Sequence, residues 1–192
     1  DGQPRVRGES LGKPRADIGM MFQTPVLFPW RTVAANVMLP GSVLKLDRAR
    51  QRQRTAELLE LVGLAGFEDR YPNELSGGMK QRVALARLLA YDPEVLLMDE
   101  PFGALDEFTR EALDLELLRV WSATKKTVVF VTHNISEAVF LSDRVFVMTP
   151  RPGRLEAVVD VDLPRPRGRD AFNNSRFHDH VREIREIFGV AD

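Results

Sequence analysis

A chain of 192 residues, 44% of them hydrophobic, is long enough to bury one substantial core, so one domain, or a domain with an inserted subdomain, is expected. Its 27 basic and 28 acidic residues leave a formal net charge of -1 and are spread along the chain, which argues against a polycationic surface and against nucleic acid as a partner. Cysteine is absent, which excludes disulfides and thiolate metal sites, and no apolar run of about 18 residues could span a bilayer, so a soluble or peripheral protein is expected.

The opening Asp1-Gly2, without an initiator Met, reads as a cut made inside a domain, and the chain is expected to be a fragment. Residues 1–22 mix Gly, Pro and Arg with short β-prone pieces and suggest a hairpin remnant, then a core strand through Ile18-Gly19-Met20-Met21-Phe22 that leads to Gln23. Pro25, Pro29 and Pro40 break up the segment around Leu27-Phe28-Pro29-Trp30, which is too apolar for an idle linker and reads as a surface segment that docks on something. Asp47 is an N-cap for a helix with Ala56, Leu59 and Val62, and Leu58 and Leu61 alongside, at helical spacing until Gly63. A second helix follows Ser76 and ends by Asp92-Pro93.

From Val95 the pattern changes to strand and helix in alternation, which predicts an α/β fold with a parallel sheet. Val95-Leu96-Leu97-Met98 reads as a strand buried on both faces. Then come a helix over about 107–121, a strand over 127–132, a short helix near Ser136, and a strand over 144–148 that pairs with 155–160 across Arg151-Pro152-Gly153-Arg154. Residues 162–170 form a Pro/Arg-rich linker, and 176–188 a terminal helix with Val181, Ile184 and Phe188 on one face.

Two stretches carry chemistry. In Leu75-Ser76-Gly77-Gly78-Met79-Lys80-Gln81-Arg82, Ser-Gly-Gly stands where a helix begins, so unpaired amides and the positive helix end can face a phosphate, with a hydroxyl added by Ser76. In Val95-Leu96-Leu97-Met98-Asp99-Glu100-Pro101, an apolar strand delivers two carboxylates to the sheet edge where open α/β folds bind ligands; Asp99 can hold Mg²⁺ and Glu100 can orient or deprotonate a water. No Gly-rich loop ending in Gly-Lys-Ser or Gly-Lys-Thr accompanies them. Gly8-Glu9-Ser10-Leu11-Gly12-Lys13-Pro14 mimics one, but its glycines are one residue too close, Pro14 stands where Ser or Thr is required, and no apolar strand precedes it.

These stretches resemble the signature and Walker B motifs of the ATPase subunits of ABC transporters. The resemblance continues through Phe102-Gly103-Ala104-Leu105-Asp106, similar to the family's D-loop, through His133 after Val131-Thr132, and through Gln23 as the Q-loop glutamine. Leu27 to Val37, Arg151-Pro152-Gly153-Arg154 and Leu163-Pro164-Arg165-Pro166-Arg167 resemble the nitrate, sulfonate and taurine type of importer ATPase. Asn134 departs from the Asp found in many relatives and leaves His133 in place.

The resemblance implies an incomplete P-loop NTPase core over residues 1–24 and 93–161, an inserted helical subdomain over 25–92 and a C-terminal linker and helix over 162–192. It implies that the intact parent hydrolyses ATP with Mg²⁺ in a head-to-tail dimer on the cytoplasmic face of the membrane, and that this fragment alone is inactive. Glu100, His133 and Gln23 would serve catalysis, Asp99 and Gln23 the Mg²⁺, Asp106 the D-loop, and Ser76, Gly77, Gly78 and Met79 would reach ATP held by the second subunit. Membrane permease subunits would dock on Gln23 to Val37, with Phe28 or Trp30 as contacts if exposed, and a solute-binding protein would complete the system. A degenerate subunit without turnover and a soluble, non-transport ATPase of the same superfamily stand as alternatives, and nitrate, an alkanesulfonate, taurine, bicarbonate and a pyrimidine precursor stay open as solutes. His178-Asp179-His180 is read as a solvated tail, since i and i+2 imidazoles leave a helix on different sides, and Arg48, Arg50, Arg52 and Arg54 as a solvated stripe.

Overall fold

The computed structural model, which describes residues 5–10, 12, 13 and 15–189, is organised about three parallel strands in the order β3 (Ile18–Met21), β4 (Val95–Asp99), β5 (Thr127–Val131). Met21 stands opposite Met98, and Asp99 opposite Val131. Because parallel strands end on the same side, Gln23, Asp99, Glu100 and His133 all leave the sheet at one edge.

Ahead of this sheet, β1 (Arg5–Val6) and β2 (Glu9–Ser10) pair antiparallel. Arg7 and Gly8 join them, both at positive φ, as a two-residue hairpin turn requires. The loop-like run from Gly8 to Pro14 therefore starts as a hairpin turn and its returning strand; Leu11 and Pro14 lie outside the described residues, as do Asp1-Gly2 and the rest of 1–4 and 190–192.

Between β3 and β4 lie α1 (Val33–Val37), α2 (Leu39–Val43), α3 (Arg48–Leu61) and α4 (Gly77–Leu89). Asp47 caps α3 as expected, accepting from the Arg50 N–H at 2.8 Å. The buried face of α3 differs from the expected one: Gln51, Thr55, Leu58, Leu59 and then Val62 point inward, and Ala56 is exposed. Gln51 and Thr55 sit seven and three residues before Leu58, on the face that two strong apolar anchors had already fixed.

Helix α4 lies directly on β3, where Gly19 has no side chain. A Cβ there would run into Leu88 Cδ1 and come within 2.9 Å of the Tyr91 hydroxyl and 3.0 Å of Pro93 Cγ. Gly19→Ala is therefore expected to lower stability by about 1–3 kcal/mol through overpacking, read as a lower urea midpoint with an unchanged slope. An unchanged midpoint would show that α4 can slide off the strand freely.

On the other flank, α5 (Glu107–Thr124) links β4 to β5, and α6 (Ile135–Leu141) leads into β6 (Arg144–Met148), which pairs antiparallel with β7 (Leu155–Asp160). Leu96 and Met98 of β4 are buried, with Val95 and Leu97 partly so. Strands β5 and β6 belong to different sheets and line a shared groove of about 810 Å³, where Val129, Val131, Phe146 and Met148 stay about half exposed. The 162–170 segment is packed: Leu163 and Arg167 are buried, and Arg165 stacks on Trp121. In α7 (Ser175–Ile187) the inward residues are Phe177, Val181 and Ile184; Phe188, expected on that face, is the C-cap and is exposed because the helix has ended.

Candidate functional site

At the shared strand edge, three side chains meet. Glu100 Oε2 lies 3.3 Å from His133 Nδ1 and 3.5 Å from Gln23 Nε2. The Glu100 backbone is fixed on both sides: its N–H donates to the Val131 carbonyl at 2.9 Å, and its carbonyl accepts from the Gly103 N–H at 3.1 Å. It holds φ at +42°, a left-handed conformation that costs a non-Gly residue about 1–3 kcal/mol and is characteristic of functional turns. A Cβ on Gly103 would stand 3.3 Å from Glu100 Oε2 and 3.4 Å from Gln23 Nε2, so the absent side chain leaves room for the cluster.

Gln23 is held by residues to which the sequence assigned no role. Gln81, buried in α4, donates its amide to the Gln23 carbonyl at 2.8 Å, and Arg87, one and a half turns further on, donates to the carbonyls of Pro25 and Val26 at 2.6 and 2.8 Å. Burial lowers the Arg87 pKa, with a smaller opposing effect from Tyr91. Asn36, fully buried in α1, accepts from the Phe28 N–H at 2.8 Å and donates to the carbonyls of Phe28, Arg31 and Thr32. The 23–32 segment is thus pinned from beneath while its apolar tip faces outward: Phe28 is half-buried, and Trp30, edge-on to it at 5.3 Å, is 71% exposed.

The Ser76–Met79 turn lies outside the Gln23, Glu100 and His133 cluster. Ser76 Oγ caps α4 by accepting from the Met79 N–H at 3.2 Å. Gly77 and Gly78 lie against Leu105 and the start of α5, where an added Cβ would stand 3.4 Å from Leu105 Cδ2 and 2.8 Å from Thr109 Cγ2 respectively. Asp106 caps α5, accepting from the Thr109 N–H at 3.0 Å and its hydroxyl at 2.7 Å, and the first of these bonds does most to lower its pKa. That contribution is present above the ordinary aspartate range and fades as pH falls through it.

Asp99 is exposed at the end of β4 beside this cluster, and with the Gln23 amide oxygen it offers hard oxygen donors of the kind Mg²⁺ takes. Among the described residues, no three His, Cys, Asp or Glu side chains are grouped as a metal cage. This donor set suits an ion that keeps water and phosphate ligands. Asn134 caps α6 by accepting from the Glu137 N–H at 3.1 Å, a role Asn fills as well as Asp does. Away from the site, His180 bonds Asp162 at 2.8 Å, His178 meets the Phe177 ring, and Arg48, Arg50 and Arg52 are exposed.

Comparison with known proteins bears on the family of this chain. The ABC transporter family profile matches residues 1–103. An ABC transporter ATP-binding protein of Methanocaldococcus jannaschii is 47% identical over 184 residues, covering 96% of this chain and 69% of that protein. The taurine import ATP-binding protein of Rhizobium johnstonii is 48% identical over 86% of this chain, which spans only 63% of that relative's length. An aliphatic sulfonates import ATP-binding protein of Bacillus cereus is 43% identical, covering 98% of this chain and 72% of its own. Among solved structures, cbiO1 from Clostridium perfringens, part of the ABC transporter complex cbiONQ, superposes with a TM-score of 0.74 at 26% identity over 93% of this chain and 71% of its own. With the family profile, the parallel sheet and these relatives in agreement, the chain belongs to the ABC transporter ATP-binding family.

Proposed function

We propose that this chain supplies the Walker B, signature and switch-histidine parts of an ATP-hydrolysing subunit that energises an importer for a small solute of the taurine, sulfonate or nitrate class. The observation that carries this reading is the convergence of Gln23 and His133 on Glu100, one residue after Asp99. Glu100 would take the proton of an attacking water that Gln23 and His133 orient. Asp99 and Gln23 would hold Mg²⁺, which neutralises charge on the phosphate oxygens. A Walker A loop, absent from these 192 residues, would be carried by an intact parent, and the 192-residue chain alone is expected to bind Mg-ATP weakly and to turn none over.

In a head-to-tail dimer, Ser76, Gly77, Gly78 and Met79 would close on ATP held by the second subunit, with the Asp106 loop at the seam. Phe108, 85% exposed beside Asp106, gives that seam an apolar contact. Trp30 on its pinned loop offers the matching contact to a membrane permease, and a solute-binding protein would deliver the solute. No described helix is long and apolar enough to cross a membrane, and a peripheral place on the cytoplasmic face is part of the proposal.

Dimerisation tests the composite site. The intact parent is expected to elute as a dimer with Mg-ATP and as a monomer without it, and Ser76→Arg is expected to stay monomeric while still binding nucleotide. A Ser76→Arg variant that dimerises and hydrolyses ATP normally would remove the signature turn from the mechanism.

A further inference from the structure

Two acids that the proposed chemistry does not use face each other inside the fold. Asp114 of α5 is 4% exposed and Glu137 of α6 is 6% exposed, and the two helices pack together, which sets the charge of one acid against the other. Asp114 Oδ1 and Glu137 Oε1 are buried without a hydrogen-bond partner, so no N–H or O–H donates to either oxygen. Two carboxylates cannot both stay ionised at such a site; one proton between them supplies the missing donor.

The pair sits behind the His133 turn. Thr132 Oγ1 donates to Glu137 Oε2 and accepts from the Asn134 N–H at 2.9 Å, while Asn134 Oδ1 accepts from the Glu137 N–H at 3.1 Å. His133 is thus flanked on both sides by residues bonded to Glu137. The groups facing the pair are Arg110 and Glu111 from α5, and Thr132 and His133 from the turn. Arg110 accounts for one negative charge on the pair and leaves the second acid neutral.

We propose that Asp114 and Glu137 share one proton across the α5–α6 contact and act as positioning residues that hold the Thr132–Asn134 turn, and with it His133, against Glu100. The role given to His133 rests on the function proposed above; the shared proton and the coupling to the turn do not. Loss of the proton sets two buried anions against each other, and a shift of Glu137 away from Asp114 would disturb its bond from Thr132.

The sign of the pH effect follows from Asp114, pushed up to about 8, first by burial and then by the charge of Glu137. The folded chain therefore holds a proton that the unfolded chain has lost, so this stabilisation is complete below the ordinary aspartate range and is lost as pH rises to about 8. The test is NMR titration of the His133 ring in the full chain, assigned by its loss in His133→Asn. Wild type is expected to show a second inflection near the pair's deprotonation that disappears in Asp114→Asn, whose amide replaces the shared proton. The ratio of unfolding constants, wild type over Asp114→Asn, is expected to rise by close to tenfold per pH unit across the same window. Glu137→Gln keeps the acceptor for Thr132 and serves as the second variant should Asp114→Asn not fold. Identical His133 titrations in wild type and a folded amide variant overturn the proposal, as does an infrared spectrum of wild type near neutral pH without a protonated-carboxyl band that either amide variant removes. None of these readouts needs ATP turnover, so they separate this proposal from the reading of the site.

Discussion

Replacing Glu100 with Gln in the intact parent is expected to lower ATP turnover by at least about 100-fold while Mg-ATP binding survives, since general-base catalysis contributes about 10²–10⁴. The substitution keeps shape and hydrogen-bonding capacity. Its backbone bonds to Val131 and Gly103 are main-chain and do not change. What disappears is the anion that faces His133 Nδ1 and the Gln23 amide, hence both the proton acceptor and the charge that orients its neighbours. About 2.7 kcal/mol of transition-state stabilisation corresponds to the expected minimum. Single-turnover hydrolysis with a parallel nucleotide-binding isotherm checks it: turnover within threefold of wild type would show that Glu100 is neither base nor orienter.

The residues in that prediction were legible in the sequence because each follows a strand. A strand ending in a carboxylate pair, another ending in Thr-His and a third ending in Gln announce the edge of a parallel sheet, and parallel strands necessarily bring their ends together. The supporting residues were silent for an equally physical reason. Gln81 and Arg87 stand within a helix whose sequence reads as an ordinary amphipathic run, and their partners lie 58 to 62 residues away in the chain. Asn36 looks like a surface residue in a proline-broken loop and is in fact the fully buried knot of that loop. Asp114 carries no sequence signal of its own, and only the packing of α6 against α5 makes it a buried acid. Hydrophobic periodicity finds faces, but it cannot say which polar residue on a buried face has found a partner. The same limit explains Thr55 and Gln51 on α3, and the exposed Phe188, where one more apolar residue past the helix end was read as part of its face.

Helix α4 ties these observations together. Its first turn would, on the proposed function, offer amides and Ser76 to a phosphate; its middle holds the Gln23 carbonyl through Gln81, and its last turn grips Pro25 and Val26 through Arg87. A displacement of α4 would therefore carry the glutamine and the Trp30 loop together, the mechanical link that the proposed coupling of nucleotide closure to a membrane partner would use. The coupling follows from hydrogen bonds between rigid elements and needs no flexible wire.

Arg167→Met is expected to lower stability by about 3–5 kcal/mol, a fall in melting temperature of roughly 6–20 °C. The guanidinium is 1% exposed and closes the end of α6, donating to the carbonyls of Val139, Phe140 and Ser142 at 3.2, 2.9 and 2.8 Å and to Leu163 at 3.1 Å. Arg165 takes the Leu141 carbonyl at 2.8 Å and the Ser142 N–H takes Ala138, so each of the last four carbonyls of α6 has a donor. Burial, reinforced by Arg165 and opposed by Asp143, pulls the Arg167 pKa down to about 10, which leaves the side chain charged at neutral pH and favourably placed at a helix C-terminus. Met fills similar volume but leaves three or more buried carbonyls without donors, whereas Lys restores the charge and cannot span four acceptors with one ammonium group. The expected order of urea midpoints is therefore wild type, Arg167→Lys, Arg167→Met. Because the sequence marks Leu163-Pro164-Arg165-Pro166-Arg167 only by its likeness to importer ATPases, the order also separates two origins for that likeness. Equal midpoints with impaired partner binding would make the motif a contact surface, and the graded loss would make it the clasp that holds α6, and through Glu137 the His133 turn, in place.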